Sequence, residues 1–312
     1  MQMRVILILA LVVVGVPACG RNSGSTSDGR PVVVATTTQL ADLARQIGGP
    51  DADVQQLLQP NSDPHEYEPR PKDVLSAARA RLILTSGLGL DSWMPGILSA
   101  SGTKAKVVDV GAGVPVRLPG TGDESGSADP HWWHDPLNER AAVTTVQRAL
   151  SAAAPAAAPR IAARAQAYRR RLTRLDERIR ACFDRIPEPQ RKLVTDHDAF
   201  GYFVRGYGLR YVGAVIPAQT TQAQASAGDL ARLEDTIRRE HVAAVFPESS
   251  VNKRLARRIA QDTGAVVGGT LYGDTLGPKG GRAGTYVGME QANADTIVRG
   301  MTGGAAGCPA GA

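Results

Sequence analysis

A chain of 312 residues is long enough for about two domains with their own cores, which excludes a small scaffold that needs disulfides or a metal to fold. Hydrophobic residues make up 43% and charged ones 21%, and 34 glycines with 20 prolines fall short of a low-complexity composition, so the protein is globular. The formal charge is +6, but the basic residues are spread along the chain and only 4% of residues are aromatic, so the charge reads as a solvated surface with no nucleic-acid partner.

The chain opens with Arg4 and an apolar run over 5–16. That run is too short for the ~20 residues that cross a bilayer and has the form of an export signal. It closes on Val16-Pro17-Ala18-Cys19-Gly20, small residues around a cysteine, which resembles the lipobox where bacteria cleave the signal and acylate the new N-terminal cysteine. An ordinary signal peptide with an incidental Cys19 is the alternative. Residues 20–30 are rich in Gly, Ser, Thr and Asp, a flexible tether with a root-mean-square reach of about 18 Å. The reading is a lipoprotein signal peptide over 1–18, a tether over 19–30, and a domain held by lipid on the outer face of the cytoplasmic membrane. Export also permits disulfides; Cys182 and Cys308 remain available, and their spacing alone leaves their pairing open.

From Pro31 onward, short β-branched runs alternate with amphipathic stretches. Strands are expected over 32–36, 54–58, 82–85 and 106–110, and helices over 39–47, 71–79 and 92–99, with Gly48-Gly49 as a stop and Pro71 in a first turn. This alternation predicts a parallel sheet in an N-terminal α/β lobe, 31–136. An Ala/Arg-rich helical connection follows over 137–186. Within it Ile161, Ala165, Tyr168, Leu172, Leu175, Ile179, Cys182 and Ile186 recur in alternating steps of four and three, one apolar stripe on a rod of roughly 42 Å. A rod of that length can run along two lobes; a coiled-coil dimer seam is the alternative. A second α/β lobe, 187–312, carries expected strands over 193–195, 210–215, 242–246 and 265–268, with a helix over 226–240 that Ser226 and Asp229 open as a capping box. A helix joining the lobes is stiff, so large hinge closure is not expected.

Three of the five histidines follow strands or open loops: His65 in Asp63-Pro64-His65-Glu66-Tyr67-Glu68-Pro69, His131 in Asp129-Pro130-His131-Trp132-Trp133-His134-Asp135-Pro136, and His197 in Thr195-Asp196-His197-Asp198. In parallel α/β sheets, ligands bind beyond the carboxyl ends of the strands, where such loops converge. Imidazole suits Zn²⁺, which takes four N, O or S ligands, and Asp274 in Leu271-Tyr272-Gly273-Asp274 is the candidate for the fourth. Glu66, Glu68, Asp129, Asp135, Asp196 and Asp198 lie near enough in sequence to take the second imidazole N–H and fix the tautomer, and spacing does not decide among them. His134 competes with His131, although Asp135-Pro136 reads as an N-cap and first turn that directs it elsewhere. His241, at a helix end, complements the helix dipole. Glu248, beyond a strand in Phe246-Pro247-Glu248, is either a ligand or a carboxylate supporting one.

Together, His65-Glu66-Tyr67-Glu68-Pro69, Asp129-Pro130-His131, His197-Asp198-Ala199-Phe200-Gly201-Tyr202-Phe203, and Asp274 followed by Gly288-Met289 and Asn293 resemble the signature segments of the zinc/manganese solute-binding proteins of ABC transporters. The resemblance runs in order through nearly the whole mature chain. It implies two Rossmann-like lobes with parallel sheets joined by one long rigid α-helix, and a metal held between them by His65, His131, His197 and Asp274. It further implies a monomer that delivers its ion to a membrane permease with a separate ATPase. Histidine at the third position implies Zn²⁺, with Mn²⁺ as the alternative cargo, and replacing a carboxylate by imidazole does shift preference toward zinc. The histidine-rich loop that many such zinc receptors carry is replaced over 118–128 by Gly and Ser with Asp123 and Glu124.

The main alternative is an exported zinc hydrolase with Glu248 or Glu66 as general base, which needs an open coordination position for water. Four protein ligands argue against it, and the sequence has no His-Glu-x-x-His, no Gly-x-Ser-x-Gly and no Gly-x-x-x-x-Gly-Lys. The chain is expected to perform no chemistry of its own; an additional adhesin role is left open.

Overall fold

The computed structural model describes residues 29–121 and 124–308. The expected signal peptide, Cys19 and most of the tether lie outside the described residues, as does Asp123. β1 (Val32–Ala35), α1 (Thr38–Gly48), β2 (Asp53–Gln56), α2 (Pro71–Arg79), β3 (Leu82–Thr85), α3 (Met94–Ser101) and β4 (Lys106–Asp109) build the first sheet and its helices. All pairings are parallel and the strand order is β2-β1-β3-β4. β1 and β3 are the central, buried strands, which is why they read as unbroken apolar runs. The Thr37 hydroxyl caps α1 by accepting the Leu40 N–H, and Pro71 stands in the first turn of α2.

The connection consists of two helices. α4 (Pro136–Ala153) opens on Asp135, whose carboxylate accepts the Leu137 N–H at 2.8 Å. Pro155 interrupts the run, and α5 (Ala158–Phe183) folds back against α4. At 26 residues α5 is about 39 Å long. Its stripe is buried from Ile161 through Cys182 and packs on α1 and α4 as well as on helices of the second half, so it is consumed within the chain and not left as a coiled-coil seam. The helix ends at Phe183, short of Ile186, which is nevertheless buried.

The second half comprises β5 (Lys192–His197), α6 (Gly201–Tyr207), β6 (Arg210–Ile216), α7 (Ala227–Glu240), β7 (Ala244–Val245), α8 (Arg254–Thr263), β8 (Val266–Val267) and α9 (Tyr286–Met301). β5 pairs with β6 and β7 with β8, both parallel, and a parallel bridge from Thr195 to Phe246 joins the two pairs in the order β6-β5-β7-β8. This repeats the first half's arrangement, in which the second strand of the half lies outside the first. β7 and β8 are shorter than their expected runs of 242–246 and 265–268; β7 is buried, whereas Val266 and Val267 of β8 lie half exposed at the sheet edge. Ser226 and Asp229 form the capping box of α7, as read from the sequence. α9 carried no periodic signal because it is buried on nearly every side. At its Gly300 a Cβ would stand 2.5 Å from the Phe246 ring, so only glycine fits there.

Candidate metal centre

Each proposed donor leaves the carboxyl end of its sheet. His65 lies in the loop after β2, held by its own N–H to Asp63 Oδ1 (2.9 Å) and by Trp93 Nε1–H to the Pro64 oxygen (3.1 Å). His131 follows β4 and precedes a short 3-10 turn, Trp132–His134. His197 is the last residue of β5. Asp274 lies between β8 and α9 in a loop pinned by Gln39 Nε2–H to the Asp274 backbone oxygen (2.8 Å) and by the Asn293 amide, whose Oδ1 accepts the Tyr272 N–H and whose Nδ2–H donates to the Tyr272 oxygen. Four segments far apart in sequence thus end at one point, where the halves face each other.

The four donor atoms lie within 4.8 Å of one another. Nε2 of His131 and of His197 stand 3.4 and 3.5 Å from Asp274 Oδ1, His65 Nε2 is 3.8 Å from the same oxygen, and the His65 and His131 Nε2 atoms are 3.3 Å apart. A tetrahedron of ligands at about 2.1 Å from a central ion has edges of about 3.4 Å. These four separations are therefore close to the edges around a coordinated cation. His197 Nε2 and Asp274 Oδ1 are buried and have no hydrogen-bond partner among the described residues. Orphaned acceptors at such a point are costly unless something positive meets them.

The same device orients two of the imidazoles. Asp129 Oδ1 accepts both the backbone N–H of His131 (2.9 Å) and its Nδ1 (2.8 Å); Glu248 Oε1 does the same for His197, at 3.0 Å in each case. Each carboxylate holds Nδ1 protonated and so turns the Nε2 lone pair into the cage. Burial works against charge on His131, but Asp129 and Asp274 more than offset it and raise the imidazole to about 9. His197 is likewise opposed by burial and raised well above the ordinary range by Glu248 and Asp274. Burial would raise the Asp274 carboxyl, yet His197, His131 and His65 hold it well below its ordinary value. His65 stands apart: its side chain is 8% exposed where the other donors are closed off. It borders a polar cleft of about 260 Å³ lined also by Ser92, Glu124, Gln219 and Gln222.

The remaining candidates fall outside the cage. Glu248 is no donor to it but the support of His197. Of the carboxylates near in sequence, only Asp129 supports an imidazole: Asp196 accepts the Glu248 N–H (2.6 Å), Asp198 accepts the Thr121 hydroxyl, Asp135 caps α4, and Glu66 and Glu68 are exposed. His134 is buried against Glu290, and His241 is the exposed C-cap of α7 with φ of 51°. Sequence reasoning missed Gln39 and Ser250. The Ser250 hydroxyl donates to Asp274 Oδ2 at 3.1 Å, and no local pattern marks either residue.

A profile of the family described as ZnuA, zinc-uptake complex component A, periplasmic, matches residues 33–300. The chain is 36% identical over 279 residues to the zinc-binding protein TroA of Treponema pallidum, covering 88% of this chain and 90% of that protein. It is 33% identical over 286 residues to the iron-binding protein YfeA of Yersinia pestis (91% and 90% covered) and 34% identical over 289 residues to the manganese-binding lipoprotein MntA of Bacillus subtilis (91% and 94% covered). The solved structure of the periplasmic zinc-binding protein TroA superposes with a TM-score of 0.82 at 34% identity, covering 87% of this chain and 99% of that one.

Proposed function

The chain belongs to the zinc-uptake component A family of metal-binding, substrate-binding proteins of ABC transporters, and from that premise we propose that it captures Zn²⁺ through His65, His131, His197 and Asp274 and surrenders it to a membrane permease. Proteins of this class are receptors, not enzymes, and work with a permease and an ATPase. The observation that carries the zinc reading is the donor set at its spacing: three imidazole nitrogens and one carboxylate oxygen, all but His65 buried, with four edges of 3.3–3.8 Å, near those of a tetrahedron around zinc. Relatives named for zinc, manganese and iron make the ion the open variable, and intrinsic affinity favours zinc over both at a nitrogen-rich site.

A hydrolase needs a free base beside the ion. Glu248 is committed to His197 through two contacts and Glu66 is exposed on its loop, which agrees with a receptor. Among the described residues no helix is long and apolar enough to cross a membrane; several relatives are named lipoproteins, which supports Cys19 as the site of a lipid anchor that holds the receptor outside the cytoplasmic membrane, and the reading is of a monomer. Chelator-competition titration of the purified mature protein is expected to give one Zn²⁺ per chain, held more tightly than Mn²⁺. His197→Ala is expected to weaken zinc by orders of magnitude. Unchanged affinity in that variant would remove His197 from the site, and tighter Mn²⁺ than Zn²⁺ would reassign the cargo.

A further inference from the structure

The buried histidine that the ligand set leaves unused is His134, which has no exposed surface. Its Nδ1 stands 2.8 Å from Glu290 Oε1 on α9, its Nε2 stands 3.0 Å from the backbone oxygen of Gly273, and its ring stacks on Phe200 with centroids 4.5 Å apart. A carbonyl oxygen only accepts. Nε2 must therefore carry a hydrogen, whichever of His134 and Glu290 holds the proton between them. The same Gly273 oxygen also accepts the Trp133 Nε1–H at 3.0 Å. Two consecutive side chains of the segment that bears His131 thus occupy both lone pairs of one carbonyl in the second half of the molecule.

The peptide to which that oxygen belongs leads directly into Asp274. From another direction it rests on Glu248: a Cβ at Gly273 would fall 2.1 Å from Glu248 Oε2, and the other oxygen of that carboxylate orients His197. One peptide plane is therefore where the segments of His131, His197 and Asp274 meet. A buried charged pair is weak evidence of stabilisation, since an apolar pair of similar volume is often as good or better. What an apolar pair does not supply is a directed N–H on the Gly273 oxygen.

We infer that His134, oriented by Glu290, is a positioning residue of the metal site: its Nε2–H, with that of Trp133, sets the Gly273–Asp274 peptide so that Asp274 Oδ1 is preset for the cation and slow to let it go. This rests on the four-ligand reading above.

The test is a double variant, His134→Phe with Glu290→Leu, which removes the N–H without leaving a carboxylate unpaired and is expected to fold at least as well as the parent. Zn²⁺ release, followed by capture with a chelator in stopped flow, is expected to quicken about 10–100-fold, with affinity falling in parallel, as for other groups that support metal ligands. The unfolding midpoint of the metal-free variant should not fall. His134→Gln alone, which still offers an amide N–H to the Gly273 oxygen, should keep most of the slow release. Release and affinity within twofold of the parent in the double variant would overturn the inference, as would a glutamine variant that releases zinc as fast as the double variant. His131→Ala is run alongside. If zinc binding ignores that change, the four-ligand reading falls and this inference with it; if it depends on His131 while the double variant behaves as the parent, only the positioning role falls.

Discussion

An imidazole must give up its proton to hold a cation, yet His131 and His197 sit beside carboxylates that favour keeping it. Asp129 and Asp274 raise His131 to about 9 against the opposing effect of burial, and Glu248 and Asp274 raise His197 well above its ordinary range. The same carboxylates that aim the lone pairs thus let protons compete with the metal. For a group raised from about 6.5 in the unfolded chain to about 9 in the folded, metal-free protein, the stabilisation is complete below about 6.5 and is lost as pH rises through 9. The metal-free protein should therefore lose thermal stability over that interval, while zinc affinity goes on rising. The upward shift in unfolding temperature caused by saturating zinc is expected to widen steadily from pH 6.5 to 9, measurable by differential scanning fluorimetry. A shift that stays constant across this range would show that protons do not occupy the cage. The supports themselves were only half legible. Asp129 stands two residues before its histidine and was a candidate, whereas Glu248 reaches His197 from another strand, and nothing in sequence spacing pairs them.

At the scale of elements, α5 separates two kinds of contribution. Its stripe was legible because a half-buried helix leaves a mark every three or four residues, and Ile161, Ala165, Tyr168, Leu172, Leu175, Ile179 and Cys182 are all buried as that mark requires. None of these residues belongs to the donor set. Leu172→Ala is expected to cost about 2–5 kcal/mol in urea unfolding, the range for a leucine cut back in a packed core. Zinc affinity at neutral pH should change by less than a few-fold, because the proposed donors lie outside α5. α9 illustrates the reverse case. It was hidden from periodicity because it is buried on nearly all sides, and it bears on the site through Glu290 and Asn293.

For the molecule as a whole, the halves are tied by more than a helix. Leu276 N–H to the Thr38 hydroxyl, Asn61 N–H to the Thr275 hydroxyl, Tyr286 N–H to Asp42 Oδ2 and the Tyr286 hydroxyl to the Trp133 oxygen all cross between them. A further closure joins Cys182 near the end of α5 to Cys308 beyond α9 in a disulfide, with Cα atoms 5.5 Å apart. A cross-link over 126 residues constrains the unfolded chain. Replacing both cysteines by serine is expected to remove about 2–4 kcal/mol and lower the unfolding midpoint by several degrees. Zinc stoichiometry should stay at one per chain in that variant, since the bridge lies outside the cage; loss of zinc binding would mean that the bridge also holds the halves in register.

Local patterns by themselves determined the alternation of strand and helix, the buried stripe of α5 and the caps of α4 and α7, and they narrowed the metal donors to a few side chains among which His134 and Glu248 still competed. Each of these is written in spacings of a few residues or in the chemistry of one side chain. Only tertiary structure decided which carboxylates aim the imidazoles, that Cys182 meets Cys308, that His134 turns away to Gly273, and that four donors separated by up to two hundred residues close to the edges of a tetrahedron. These outcomes depend on how two sheets of like strand order are set against each other, and a contact between distant segments leaves no period in either of them.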